Sequence, residues 1–174
     1  QGKTLCVLGL GAIGRKVAVS AHALGMNIVG YDPFISQAAK EEIPFATVYE
    51  DMKAAWQNAD FVTLHIPMTP DTKHLVNKES IATMKDGVII VNAARGELVD
   101  VAAIKDALAS KKVRKYVVDF PDGECIGQDG IVAVPHLGAS TEEAEDNCAV
   151  MAATELKDYL ENGNITNSVN MPNL

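Results

Sequence analysis

Short apolar runs alternate with amphipathic stretches along the whole chain. Residues 4–8, 27–31, 46–48, 61–64, 88–91, 116–118 and 131–134 have the length of strands. Several are continuous in Val, Ile and Leu, as strands buried on both faces are. Between them, helical patterns fall near 13–24, 36–41, 49–57, 78–84, 101–110 and 141–162. Asp100 stands where it can cap the fifth helix, Asp51 where an acid favours the start of the third, and Gly163 where the last can end. This alternation predicts an α/β fold, a doubly wound parallel sheet of about seven strands with helices on both faces. No repeat, low-complexity tract or linker interrupts it, so residues 1–174 read as one domain.

The first strand runs into Gly9-Leu10-Gly11-Ala12-Ile13-Gly14, a G-x-G-x-x-G placed between a strand and a helix. Gly9 permits the sharp turn, Gly11 admits a pyrophosphate against the backbone, and Gly14 lets the helix lie close to the sheet. The N–H groups at the start of the helix, including those of Ala12 and Ile13, offer a site for phosphate. Asp32 closes the second strand, where its carboxylate can accept from both ribose hydroxyls and would repel a 2′-phosphate. The pattern is that of a Rossmann-type domain, and the expected cofactor is NAD rather than NADP.

The net charge of −8, from 15 basic and 23 acidic residues, excludes a general nucleic-acid or anionic-membrane surface. The run Lys111-Lys112-Val113-Arg114-Lys115 reads as a solvated helix end. Cys6, Cys125 and Cys148 form no C-x-x-C and suggest reduced thiols in a cytoplasmic protein; no spacing supports a metal site. No run has the length of a membrane span. The chain opens at Gln1, immediately before the first strand, which suggests a processed or partial polypeptide.

Ligands of open parallel sheets bind at the carboxyl ends of the strands, where Arg95 and His136 fall. Arg95 could hold a carboxylate bidentately and polarise the adjacent carbonyl. His136 could exchange a hydroxyl proton near neutral pH, with Glu124 orienting the imidazole. Asp119 could accept from a nicotinamide carboxamide. His65 and Pro67 suit packing against the adenine side of the cofactor better than catalysis. Ala93 and Gly138 are further expected cofactor contacts. His22 and His74 read as ordinary solvated or packed side chains.

Four passages together resemble the D-isomer-specific 2-hydroxyacid dehydrogenases: Gly9 to Gly14; Leu64-His65-Ile66-Pro67-Met68-Thr69; Met84-Lys85-Asp86-Gly87 through Arg95-Gly96-Glu97-Leu98-Val99-Asp100; and Pro135-His136-Leu137-Gly138-Ala139-Ser140-Thr141. That last form and the closing Asn167-Ser168-Val169-Asn170 point to the branch acting on 3-phosphoglycerate. The resemblance implies a catalytic Arg95, Glu124 and His136, with Asp119 on the nicotinamide. Around the acid, Asp119-Phe120-Pro121-Asp122-Gly123-Glu124-Cys125 departs from the family pattern and leaves Asp122 as a rival to Glu124. The resemblance also implies a homodimer and a second, substrate-binding domain not present in this chain. The 174 residues alone are therefore expected to bind NAD(H) with little turnover. Glycerate, hydroxypyruvate and lactate are alternative substrates, and a non-catalytic NAD sensor is the alternative of another class.

Overall fold

The computed structural model describes residues 1–138, 140–168 and 170. Seven parallel strands form one sheet: β1 (Thr4–Leu8), β2 (Asn27–Tyr31), β3 (Thr47–Tyr49), β4 (Phe61–Leu64), β5 (Val88–Asn92), β6 (Val113–Val118) and β7 (Ile131–Ala133). Their order is β3-β2-β1-β4-β5-β6-β7, so the direction of winding reverses between β1 and β4. Such a reversal opens a crevice at the carboxyl ends of the strands.

Among the described residues the helices are α1 (Ala12–Ala23), α2 (Gln37–Glu41), α3 (Met52–Trp56), α4 (Lys78–Ala82), α5 (Val101–Ala109) and α6 (Glu142–Asn162), with a 3-10 turn at Gly96–Leu98. β1 shows why the buried strands read as unbroken apolar runs. Leu5 and Val7 pack on one side with Ala18, Ala21 and Ile43. Cys6 and Leu8 join the larger cluster around Trp56, Leu64, Ile90, Ile104 and Tyr116.

Asp51 accepts from Ala54 N at 2.7 Å and caps α3, which therefore begins at Met52 rather than at residue 49. Asp100 caps α5 by accepting from Ala102 N and Ala103 N. The basic run departs from expectation. Only Lys111 and Lys112 follow α5; Val113 already belongs to β6, and the register with β5 slips between Val88 and Ile89. The pairing passes from Val113 to Lys115 and leaves Arg114 as the extra residue of a bulge. Arg114 and Lys115 are thus both exposed, and two adjacent cations hide a strand.

The chain divides into two compact units, Gln1–Pro135 and His136–Leu174, where the sequence reads as one domain. The second unit is dominated by α6, capped by Thr141 accepting from Ala144 N at 3.2 Å and ending at Gly163. No described residue of α6 is buried. No helix among the described residues is long and apolar enough to cross a membrane.

Candidate functional site

The glycine turn is built by three different constraints. Gly9 sits at φ +89°, and a Cβ there would lie 2.5 Å from the His65 carbonyl oxygen. A Cβ on Gly14 would collide with the Gly9 carbonyl oxygen, which confirms close packing of α1 against the loop. Gly11 has an ordinary φ of −65° as the N-cap of α1, and a Cβ there meets nothing within 4 Å. Neither backbone strain nor packing demands glycine at position 11. The first turn of α1 carries no side-chain cap and no acid, so its N–H groups remain available to an anion.

Asp32 is held in place by two backbone donors. Leu10 N donates to its Oδ2 at 2.8 Å and Phe34 N to its Oδ1 at 2.9 Å. Each oxygen keeps accepting capacity for a hydroxyl. Arg15 secures the same loop by donating to Leu10 O at 2.9 Å and pairing with Glu42 at 2.8 Å. The loop, the helix terminus and the acid fit a dinucleotide.

A cleft of about 590 Å³ beside this loop is lined by Ile13, His65, Pro67, Met68, Ala93 and Arg95, among others. It gathers five of the expected site residues, and His65 and Pro67 share it with Arg95 rather than with Asp32. Burial pushes the His65 imidazole below its ordinary pKa, which favours the neutral ring, and the Thr63 hydroxyl lies 3.0 Å from its Nε2. An anchored neutral ring suits packing better than proton exchange. Thr72 stiffens the following loop by accepting from Thr69 N and donating to Pro67 O, both at 2.8 Å.

Arg95 also lines a second cavity of about 570 Å³, together with His74, Phe120, Asp122, Glu124 and Cys125. Its guanidinium lies 5.2 Å from the Phe120 ring centroid and donates to Ala94 O at 2.7 Å. Glu124 is 69% exposed and pairs with Lys105 at 2.9 Å. Asp122 accepts from the backbone N–H groups of Glu124 and Cys125 at 2.9 and 3.0 Å. Of the two rival acids, Asp122 is tied into its own loop and Glu124 pairs with the Lys105 side chain. Asp119 N donates to Asn92 O at 3.0 Å, fixing the end of β6 against β5.

His136 and Gly138 belong to the second unit and are exposed; His136 adopts a left-handed φ of +52°. His74, read as ordinary, is exposed but borders the cavity of Arg95. His22 stacks on Phe45 with centroids 4.0 Å apart. Burial pushes the Cys6 and Cys125 thiols up to about 12 and about 11, and Asp122 adds to the second shift. Both are therefore protonated at neutral pH and unsuited to nucleophilic chemistry. Among the described residues, no three His, Cys, Asp or Glu side chains are grouped to hold a metal.

Residues 1–140 match the family described as D-isomer specific 2-hydroxyacid dehydrogenase, NAD binding domain. The chain belongs to this family. The NAD-binding domain is 42% identical over 179 residues to a D-3-phosphoglycerate dehydrogenase of Methanocaldococcus jannaschii, covering 99% of this chain and 34% of that protein. It is 44% identical over 153 residues to a hydroxypyruvate reductase of Thermotoga maritima, covering 83% of this chain and 48% of that protein. Its fold is similar to a glyoxylate reductase from Paecilomyes thermophila, with a TM-score of 0.85 and 31% identity over 97% of this chain and 52% of the other. The NAD-binding domain thus spans about a third to about half of the length of these relatives.

Sequence reasoning missed the roles of Asn92, Thr63, Thr72 and Lys105. Asn92 is the one with a readable signal, an amide at the end of an apolar strand directly before a turn.

Proposed function

We propose that this domain is the cofactor-binding part of an oxidoreductase that moves a hydride between NAD and C2 of a D-2-hydroxy acid, with 3-phosphoglycerate as the acid. When bound, the nicotinamide supplies the hydride acceptor for oxidation and the donor for reduction. Arg95 binds the substrate carboxylate and polarises the neighbouring C2 oxygen. His136 takes the C2 hydroxyl proton in oxidation and returns it in reduction. Glu124 favours the imidazolium, and Asp119 orients the cofactor by accepting from its carboxamide. Gly9, Gly11, Gly14, Ala12 and Ile13 form the pyrophosphate turn, with Asp32 on the ribose. His65, Pro67, Ala93 and Gly138 are further contacts. The 174-residue chain alone binds NAD(H) with little turnover, and the working enzyme is a cytoplasmic homodimer.

The observation that carries the reading is the position of Arg95, exposed at the carboxyl end of β5 where two cavities meet beside the glycine turn. Glu124 is preferred to Asp122 because its carboxylate is bound only to a side chain, whereas Asp122 closes its own loop. The similarity to a hydroxypyruvate reductase favours a second reading, in which hydroxypyruvate is the oxo acid reduced.

The test is steady-state kinetics of the complete polypeptide with NAD and D-3-phosphoglycerate, D-glycerate and D-lactate, alongside Arg95→Ala. Loss of the bidentate contact should lower kcat/KM by about a hundredfold or more, with NADH affinity within about twofold. Arg95→Ala with parental turnover refutes the role given to Arg95. NADH binding without turnover of any of the three acids in either direction refutes the enzymatic reading and favours a sensor.

A further inference from the structure

The Asn92 side chain is 1% exposed, one of two buried polar residues in the core of the first unit. Its amide does three things at once. Oδ1 accepts from Ala94 N at 3.1 Å. Nδ2 donates to Arg95 O at 2.8 Å and to the Tyr116 hydroxyl at 3.4 Å. The first two bonds close the turn between β5 and Arg95 with a side chain in place of a backbone ladder. The third reaches Tyr116, which is fully buried in the core.

The Asn92 main chain meanwhile accepts from Asp119 N at 3.0 Å. One residue therefore bonds directly to both Arg95 and Asp119, at the ends of adjacent strands. Among the described residues, the other bonds to the backbone of residues 94 and 95 come from Leu98 N, which donates to Arg95 O at 3.3 Å, and from the Arg95 guanidinium itself, on Ala94 O. The Arg95 guanidinium, by contrast, is held among the described residues by its neighbour Ala94 O and by the face of Phe120. Both of those contacts move with the backbone turn or depend on where it sits.

We propose that Asn92, anchored by Tyr116, is a positioning residue that sets Arg95 in register with Asp119, and so sets how the substrate carboxylate lies relative to the nicotinamide. This rests on the substrate role given to Arg95. A substitution at Asn92 frees the turn without touching the glycine loop or Asp32, so substrate and cofactor binding should separate.

The experiment compares Asn92→Ser, Tyr116→Phe, Arg95→Ala and the double variant Asn92→Ser/Arg95→Ala in the complete polypeptide. Asn92→Ser should raise KM for the hydroxy acid about tenfold with NADH affinity within about twofold, because the loss falls on substrate placement. Tyr116→Phe keeps the ring in the core and should raise KM about two- to fivefold. In the Arg95→Ala background, Asn92→Ser should cost nothing further in kcat/KM, since the group it positions is gone. A folded Asn92→Ser with parental KM overturns the proposal, as does an effect of equal size with and without Arg95. Should Asn92→Ser fail to fold, Tyr116→Phe decides, and a parental KM there overturns the proposal. If Arg95→Ala itself leaves turnover unchanged, it is the substrate role of Arg95 that fails.

Discussion

Alanine substitutions at the three glycines of the turn should separate folding from cofactor binding. At Gly9 the new Cβ would stand 2.5 Å from the His65 carbonyl oxygen and 2.9 Å from Ile66 Cγ2, in a backbone at φ +89°. Forcing those atoms apart costs about 1–3 kcal/mol. Holding a side chain in the left-handed region adds about 1–2 kcal/mol, for a sum of about 2–5 kcal/mol. Gly14→Ala meets the Gly9 carbonyl more closely still, so its packing penalty should be at least as large. Gly11→Ala meets nothing within 4 Å at an ordinary φ. It should cost no more than the small preference of helix N-caps for glycine over alanine, under about 1 kcal/mol. Binding should follow a different order. Gly11→Ala places a methyl where the pyrophosphate approaches and should weaken NADH by about tenfold to a hundredfold, which is about 1.4–2.7 kcal/mol. Urea unfolding can be followed by Trp56, the single tryptophan, which is 5% exposed and donates to the Thr83 hydroxyl. NADH affinity is read by calorimetry. Gly11→Ala as unstable as Gly9→Ala, or binding NADH as tightly as the parent, would refute this division of labour.

Two further outcomes follow from single carboxylates. Asp60 accepts from Lys85 and from Thr4 N, and these bonds, with Lys3, hold its pKa down to about 2. Because the folded value lies below the unfolded one, the stabilisation is full above about pH 5 and is lost as pH falls from about 4 through 2. Asp60→Asn should cost about 1–2 kcal/mol near pH 7, discounted for the exposed lysines. The gap to the parent should close in acid; a constant gap down to pH 2 would contradict the assignment. Asp32 should discriminate against a 2′-phosphate, so calorimetry should show NADH binding at least about tenfold more tightly than NADPH. Equal affinities would remove the role given to Asp32.

Most of the fold was legible because its inner strands are largely buried, which turns burial into unbroken apolar runs such as residues 5–8 and 88–91. β6 was only half legible, since the bulge at Arg114 turns two adjacent cations to solvent and erases the strand signature. The 3-10 turn at Gly96–Leu98 has no periodicity of its own; tertiary bonds such as His74 N to Glu97 O fix it. Within the turn, Gly9 and Gly14 were readable as glycines because each answers a local geometric demand. The pairing of Glu124 with Lys105, 19 residues away on α5, depends on how β6 and α5 pack, which no local pattern encodes. Asn92 was visible as an amide at a strand end, but its bonds to Asp119 and Tyr116 exist only once β5 and β6 lie side by side.

The sheet also tapers. Its inner strands run for four to six residues, whereas β3 and β7, at the two edges, have three each. An open sheet is a template for other chains, because each edge presents unpaired N–H and C=O groups. Here the template is too short to hold a stranger: three residues give few ladder bonds, too few to offset the entropy of ordering an incoming segment. The longer inner strands, which carry the ligand rim, are thus kept away from the edges where sheets aggregate.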